Sequence, residues 1–127
     1  MQETSGIPTI YLIDDDDAVR DSLDVYLTMK GMKVVTFNSG QVLLDYDLVD
    51  PNLLILDVNL PELDGFSLLD TLRYRGCDAP VVFITGLGNP DVRAKAERAG
   101  AAAFFDKPID APVFFRTVAK LVARDIS

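Results

Sequence analysis

The sequence predicts an α/β fold, a three-layer α/β/α sandwich built around a five-stranded parallel sheet. Apolar runs of strand length alternate five times with stretches that have helical periodicity. The runs are continuously apolar, which is typical of parallel strands buried on both faces. Right-handed crossovers would place the helices on both sides of the sheet, so we expect a (βα)5 arrangement.

Length and composition indicate one globular domain, residues 1–127 with a core at 8–124. The net charge of −8 argues against direct nucleic-acid binding, because the phosphate backbone would repel the chain. The single cysteine and the lack of a signal-peptide pattern favour a cytoplasmic protein. No apolar stretch reaches the ~20 residues of a membrane span. The chain has no histidine, which excludes histidine metal sites and histidine-based catalysis.

The elements follow one another in a regular order. The apolar runs that we predict to be strands are residues 10–13, 33–37, 53–56, 81–84 and 103–105. Each helix begins at a side chain that can cap its first turn, namely Asp16 or Asp17, Ser39, Asp64, Asn89 and Asp110. The first helix has its apolar residues at i, i+4, i+7 and i+8 from Val19, and the second ends near Tyr46. Glycines end the first, third and fourth helices, at Gly31, Gly76 and Gly100.

Reactive side chains follow four of the five strands. Asp14 and Asp15 follow the first strand, Asp57 the third, Thr85 the fourth and Lys107 the fifth. The carboxyl ends of parallel strands lie at one edge of the sheet, where open α/β sheets place their ligands. We therefore expect three carboxylates, a hydroxyl and an ammonium to converge there.

The chemistry of these groups fits phosphoryl transfer. Neighbouring carboxylates repel one another unless a cation lies between them, and a few hard oxygen ligands suit Mg²⁺. A carboxylate such as Asp57 can attack phosphorus, with a metal and an ammonium neutralising the transferred group.

The Lys107–Pro108 bond is predicted to be cis, because X-Pro bonds are the usual place for a cis peptide. Asp16 and Asp17 are expected to be solvated residues of the loop and helix cap.

Five segments together resemble the receiver domain of two-component response regulators over essentially the whole chain. They are Ile13-Asp14-Asp15, the segment from Asp57 to Gly65, Ile84-Thr85-Gly86, Ala99-Gly100-Ala101 and Lys107-Pro108. The resemblance implies a flavodoxin-like fold, as in chemotaxis regulators, with strand order 2-1-3-4-5. It also implies a signalling switch rather than an enzyme, one that assists only its own phosphorylation and dephosphorylation.

The resemblance assigns roles to the residues at the strand ends. Asp57 would accept the phosphoryl group from a histidine kinase or histidine phosphotransfer protein. Mg²⁺ would be bound directly by Asp15, Asp57 and the backbone carbonyl of Asn59, and through water by Asp14. The phosphoryl oxygens would be contacted by Thr85 and Lys107. Phe104 occupies the position of the family's switch aromatic, which moves inward when Thr85 turns toward the phosphate.

The output is expected at the face made by the fourth helix, fifth strand and fifth helix. That face would change on activation and form a partner surface or a homodimer. The chain is either a stand-alone receiver or part of a longer regulator with an output domain beyond Ser127, and the segments around Thr85-Gly86 and Phe104 resemble receivers that pair with helix-turn-helix output domains. The fourth helix is predicted to turn Ala96 and Ala99 inward, so it buries little area and can shift at low cost. Phe115 is predicted to be an exposed contact on this face.

Two classes of function other than a phosphorylated receiver domain are also compatible with these residues. The segment Asp15-x-Asp17-x-Val19 fits phosphatases similar to haloacid dehalogenases, in which Asp15 would be phosphorylated. That family needs an acidic pair after the lysine, and only Asp110 and Asp125 follow. The third class is an interaction module that works without phosphorylation and would not respond to a phosphodonor.

Overall fold

The computed structural model describes residues 6–46 and 50–126, and within them five strands alternate with five helices. The predicted domain limits, residues 1 and 127, lie outside this part. The elements are β1 (Thr9–Ile13), α1 (Asp17–Met29), β2 (Lys33–Phe37), α2 (Gly40–Leu44), β3 (Leu53–Asp57), α3 (Gly65–Tyr74), β4 (Val81–Thr85), α4 (Pro90–Arg98), β5 (Ala103–Asp106) and α5 (Ala111–Ile126). All strand pairs are parallel, in the order β2-β1-β3-β4-β5. The predicted fold is confirmed.

The sheet is buried on both faces, which explains its continuously apolar strands. Every residue of β3 and β4 is buried. Successive side chains of a strand point to opposite faces, so each strand contributes to two separate cores. One core joins the sheet to α2, α3 and α4 through residues that include Leu43, Leu68, Leu72 and Ala96. The other joins it to α1 and α5 through residues that include Leu23, Leu27, Phe114 and Val118.

The predicted helix caps are present in the structure. Side chains that accept a hydrogen bond from a backbone N–H of the first turn are those of Asp16, Ser39, Asp64, Asn89 and Asp110. The glycines with left-handed φ after α1, α3 and α4 are Gly31, Gly76 and Gly100. Helix α2 ends at Leu44, two residues earlier than predicted. None of the described helices is both long and apolar enough to cross a bilayer.

Two predictions about the side chains of α4 and α5 are wrong. Ala96 is buried, but Ala99 is an exposed C-cap residue, because α4 ends at Arg98 and the chain turns there. Phe115 is half-buried and packs against Tyr26 of α1, with ring centroids 6.2 Å apart. It therefore belongs to the α1–α5 contact and is not an exposed contact beside α4.

Gly65, the first residue of α3, lies against the end of β3. Its N–H donates to the carbonyl of Val58 at 3.0 Å. A Cβ at this position would lie 2.4 Å from the carbonyl oxygen of Asp57 and 3.0 Å from Cα of Val58. Because these obstacles are backbone atoms, they cannot move aside as a flexible side chain would, and only glycine fits here.

We predict that Gly65→Ala destabilises the protein by about 1–3 kcal/mol, the usual cost of forcing an extra carbon into a packed site. A matched control is Gly86→Ala, whose Cβ would meet nothing closer than 4.0 Å. Denaturant unfolding of both variants measures the difference. Equal free energies of unfolding for Gly65→Ala and the wild type would show that the turn can relax.

Candidate functional site

The strand ends bring the predicted side chains to one edge of the sheet. Asp57 and Thr85 are the last residues of β3 and β4, and Lys107 directly follows β5. The backbone pairing of the strands continues beyond their last residues. The N–H of Val58 donates to the carbonyl oxygen of Ile84 at 2.9 Å, and the N–H of Lys107 donates to that of Thr85 at 2.8 Å. The convergence inferred from the sequence is therefore present.

Three carboxylates crowd together at this edge. Oxygen atoms of Asp14, Asp15 and Asp57 all lie within 4.8 Å of one another. Asp14 is fully buried and Asp57 is 2% exposed, whereas Asp15 is exposed. Burial weakens solvation of the charges, so their mutual repulsion favours any cation that can enter the cluster.

Lys107 lies between the two buried carboxylates. Its Nζ donates to Oδ2 of Asp57 at 3.0 Å and lies 2.8 Å from Oδ2 of Asp14. The Lys107–Pro108 peptide bond is cis, as predicted. One ammonium faces three carboxylates, so the cluster keeps an excess of negative charge.

The pKa values of Asp14 and Lys107 are both raised, but for different reasons. Burial raises the pKa of Asp14, and this outweighs the lowering by Lys107 and by the N–H of Asp16. Burial alone would lower the pKa of Lys107, but Asp14 and Asp57 together raise it above its ordinary value. The raised pKa of Lys107 keeps its side chain protonated at neutral pH, and a further positive charge beside Asp14 would favour the charged form of that carboxyl.

Among the buried carboxylate oxygens of the described residues, one is paired by charge with Lys107 but accepts no hydrogen bond of good geometry. Oδ1 of Asp14 accepts from the N–H of Asp16, and Oδ1 of Asp57 accepts from that of Asn59, both at 2.9 Å. Oδ2 of Asp14 is buried and has no donor in hydrogen-bonding geometry, despite the nearby ammonium. Hard oxygen atoms with an unused buried lone pair are a donor set that fits Mg²⁺.

Arg20 fixes the loop that carries Asp14. Its side chain, 14% exposed, donates to the carbonyl oxygen of Asp14 at 2.8 Å and pairs with Asp17. We did not predict this contact from the sequence. The i, i+3 spacing of Asp17 and Arg20 is a signal that would have indicated the ion pair but not the bond to Asp14.

The hydroxyl of Thr85 is engaged away from Asp57 and Lys107. It is fully buried, donates to Oδ1 of Asn59 at 2.5 Å and accepts from the N–H of Leu87 at 3.1 Å. The family resemblance assigned Asn59 a role only through its backbone carbonyl. The bond from its side chain to Thr85 depends on how β3 and β4 lie side by side, and no local pattern indicates it.

Phe104 lies in β5, where it is the register partner of Phe83 in β4. The ring is half-buried, and the guanidinium of Arg93 in α4 lies 4.7 Å from its centroid. Arg93 also lies 3.6 Å from Oδ2 of Asp106. Nothing in the sequence singles out Arg93, because this contact depends on the rotation of α4 over β5.

A cavity of about 480 Å³ opens beside the cluster. Its lining includes Asp15 and Asn59 on one side and Phe66 and Lys95 on the other. The ammonium of Lys95 lies 4.9 Å from the centroid of the Phe66 ring. Of the three clustered carboxylates, Asp15 lines this cavity.

Comparison with known proteins adds independent information. The chain is 37% identical over 102 residues to the transcriptional regulatory protein FixJ of Azorhizobium caulinodans. It is 39% identical over 100 residues to the response regulator protein TodT of Pseudomonas putida. The matches cover 80% and 78% of this chain but 48% and 44% of those proteins, so it spans about half of their length.

The fold is similar to that of a CheY-like response regulator receiver domain protein from Methanospirillum hungatei JF-1. The TM-score is 0.85 at 22% identity, with 94% of this chain and 96% of that one covered. This likeness shows the fold alone. Residues 10–119 match the sequence profile of the response regulator receiver domain, which is most of the chain. The chain therefore belongs to the response regulator receiver domain family.

Proposed function

We propose that this domain is a phosphorylation-dependent signalling switch with Asp57 as the phosphoacceptor. The observation that carries the proposal is the position of Asp57. It is almost fully buried, lies 3.0 Å from the Lys107 ammonium, and belongs to a cluster of three carboxylates. A nucleophilic carboxylate beside a fixed cation is the arrangement that phosphoryl transfer to aspartate needs.

The transfer makes one bond and breaks one. An oxygen of Asp57 forms a bond to phosphorus while the bond from phosphorus to the donor's leaving atom breaks. The leaving atom keeps the electron pair, and the product is an aspartyl phosphate. Lys107 and Thr85 contact the phosphoryl oxygens, where negative charge is spread in the transition state.

The donor set described above fits Mg²⁺. In our proposal Asp15, Asp57 and the backbone carbonyl of Asn59 bind the ion, and Asp14 acts through water. When bound, Mg²⁺ supplies positive charge to the phosphoryl oxygens. The protein's own part is to hold Asp57 in place, through the N–H of Asn59 and the ammonium of Lys107.

The phosphoryl group comes from outside residues 1–127. Because the chain contains no histidine, it cannot carry a phosphohistidine of its own. We propose a histidine kinase or a histidine phosphotransfer protein as the physiological donor. Family membership makes the domain a switch rather than a classical enzyme, and we propose that it assists only its own phosphorylation and dephosphorylation.

Our first functional prediction concerns the phosphoacceptor. With Mg²⁺ and acetyl phosphate the wild type should gain one phosphoryl group that is stable to acid and labile to hydroxylamine. Asp57→Asn should abolish the labelling, because the amide is a poor nucleophile, while the exposed control Asp70→Asn should label normally. Intact-protein mass spectrometry measures both. Full labelling of Asp57→Asn, or a phosphoryl group mapped to Asp15, would contradict the proposal and favour the phosphatase-like alternative.

A second prediction concerns Mg²⁺. The ion binds the folded cluster and not the unfolded chain, so at ten times its Kd it should stabilise the fold by about 1.4 kcal/mol. Asp15→Asn should reduce this stabilisation, because one ligand is lost. Asp21→Asn removes the same charge from an exposed position in α1 and serves as the control. Melting temperatures that do not respond to Mg²⁺ at constant ionic strength would rule out a shared metal site.

The output surface is proposed at α4, β5 and α5. Strand β5 connects this face to the site. It contains Phe104, and its last residue, Asp106, is the register partner of Thr85. The contacts of Arg93 with Phe104 and Asp106 are partly exposed and therefore weak, so α4 can rearrange at low cost. We propose that this face binds a partner, either a second copy of the chain or a C-terminal output domain beyond Ser127.

We predict that beryllofluoride with Mg²⁺ changes hydrogen exchange in residues 86–106 as well as around Asp57. The reason is that Thr85 must turn toward the phosphoryl mimic and so disturbs the loop and α4. Thr85→Ala is the matched control, which should keep the change around Asp57 and lose the change in residues 86–106. Exchange altered only around Asp57 in the wild type would mean that the signal leaves by another face.

A further inference from the structure

We infer that the side chain of Asn59 is a positioning residue that holds the Thr85 hydroxyl away from the phosphoryl group before phosphorylation. The inference rests on the proposed phosphorylation of Asp57. It concerns the side-chain amide, whereas the metal-binding role proposed for this residue uses its backbone carbonyl. The two roles can therefore be separated by substituting the side chain alone.

The hydroxyl of Thr85 has only one hydrogen to donate. In the unphosphorylated protein that hydrogen points to Oδ1 of Asn59, at an oxygen–oxygen distance of 2.5 Å. The oxygen accepts from the N–H of Leu87 at the same time. Thr85 is fully buried, so water does not readily replace either partner.

A phosphoryl group on Asp57 would compete for the same hydrogen. Its oxygens are negatively charged acceptors, so they need a donor, and the amide oxygen of Asn59 is an acceptor that already holds one. The hydroxyl cannot serve both. Asn59 itself is exposed, so its side chain can swing into solvent once the hydroxyl leaves. The amide thus opposes the turn of Thr85 that couples the site to the loop.

The strength of one neutral hydrogen bond sets the size of the effect. Such a bond changes an equilibrium by about two- to tenfold. Removing the acceptor should therefore strengthen binding of a phosphoryl mimic by a factor in that range. Removing a residue of purely structural value would weaken the site or leave it unchanged, so the sign of the change separates the two roles.

The test is the affinity of the full chain for beryllofluoride at saturating Mg²⁺, followed by fluorine NMR. We expect Asn59→Ala to bind about two- to tenfold more tightly than the wild type. Asn59→Leu, which keeps the size of the side chain, should do the same. In a Thr85→Ala background the same substitutions should have no effect, whereas a Thr85→Ser background should restore it, because serine keeps the hydroxyl.

Each outcome decides the inference. Unchanged or weaker binding by both Asn59 variants would overturn it while leaving the proposed function intact. An equal gain in the wild-type and Thr85→Ala backgrounds would also overturn it, since the amide would then act without the hydroxyl. A wild-type protein that fails to bind beryllofluoride would overturn the proposed function, and with it this inference.

Discussion

The crowding of Asp14 and Asp57 around the single ammonium of Lys107 is the interaction on which the site depends. Burial weakens the solvation of both carboxylates. The ammonium at 2.8 Å from Asp14 and 3.0 Å from Asp57 compensates for part of this loss, together with one backbone N–H bond to each carboxylate. The parallel sheet produces the arrangement, because it ends β1, β3 and β5 at one edge. With Asp15 added, the negative charge exceeds what Lys107 can neutralise. That excess prepares the site for a metal ion.

The site is joined to the α4 side of the molecule through the hydroxyl of Thr85. One hydrogen bond connects that hydroxyl to Asn59 beside the carboxylates, and another connects it to Leu87 in the following loop. Any event that draws the hydroxyl toward Asp57 therefore disturbs both. The next contact outward, between Arg93 and Phe104, contributes only about 0.5–1 kcal/mol, because the pair is partly exposed. The tightly bonded site therefore lies next to the α4–β5 surface, whose contacts between Arg93 and β5 are weak.

The sequence predicted those features that local patterns determine. Continuous apolar runs, capping side chains and terminal glycines located the strands, the helices and the residues at the strand ends. Contacts between elements were not predictable in the same way. The bonds made by the side chains of Asn59 and Arg93 depend on how strands and helices lie against one another. The errors at Ala99 and Phe115 have a similar origin, because periodicity shows that a face is apolar but not where a helix ends or which neighbour it meets.

The close approach of Gly88 to the side chains of Thr85 and Asp106 offers a route by which a change at Thr85 can reach the following loop. A Cβ on Gly88 would lie 1.8 Å from Oδ1 of Asp106 and 3.2 Å from Cγ2 of Thr85, so this loop rests directly on the ends of β4 and β5. Thr85 itself is fully buried, so its side chain has little free space in which to move, whereas the loop that follows it is exposed. When Thr85 turns, its methyl group must move against the loop or away from it, and the loop leads directly into α4. Gly88 lies two residues before the first residue of α4 and next to the side chains of Thr85 and Asp106, so this loop links the proposed phosphorylation site to α4.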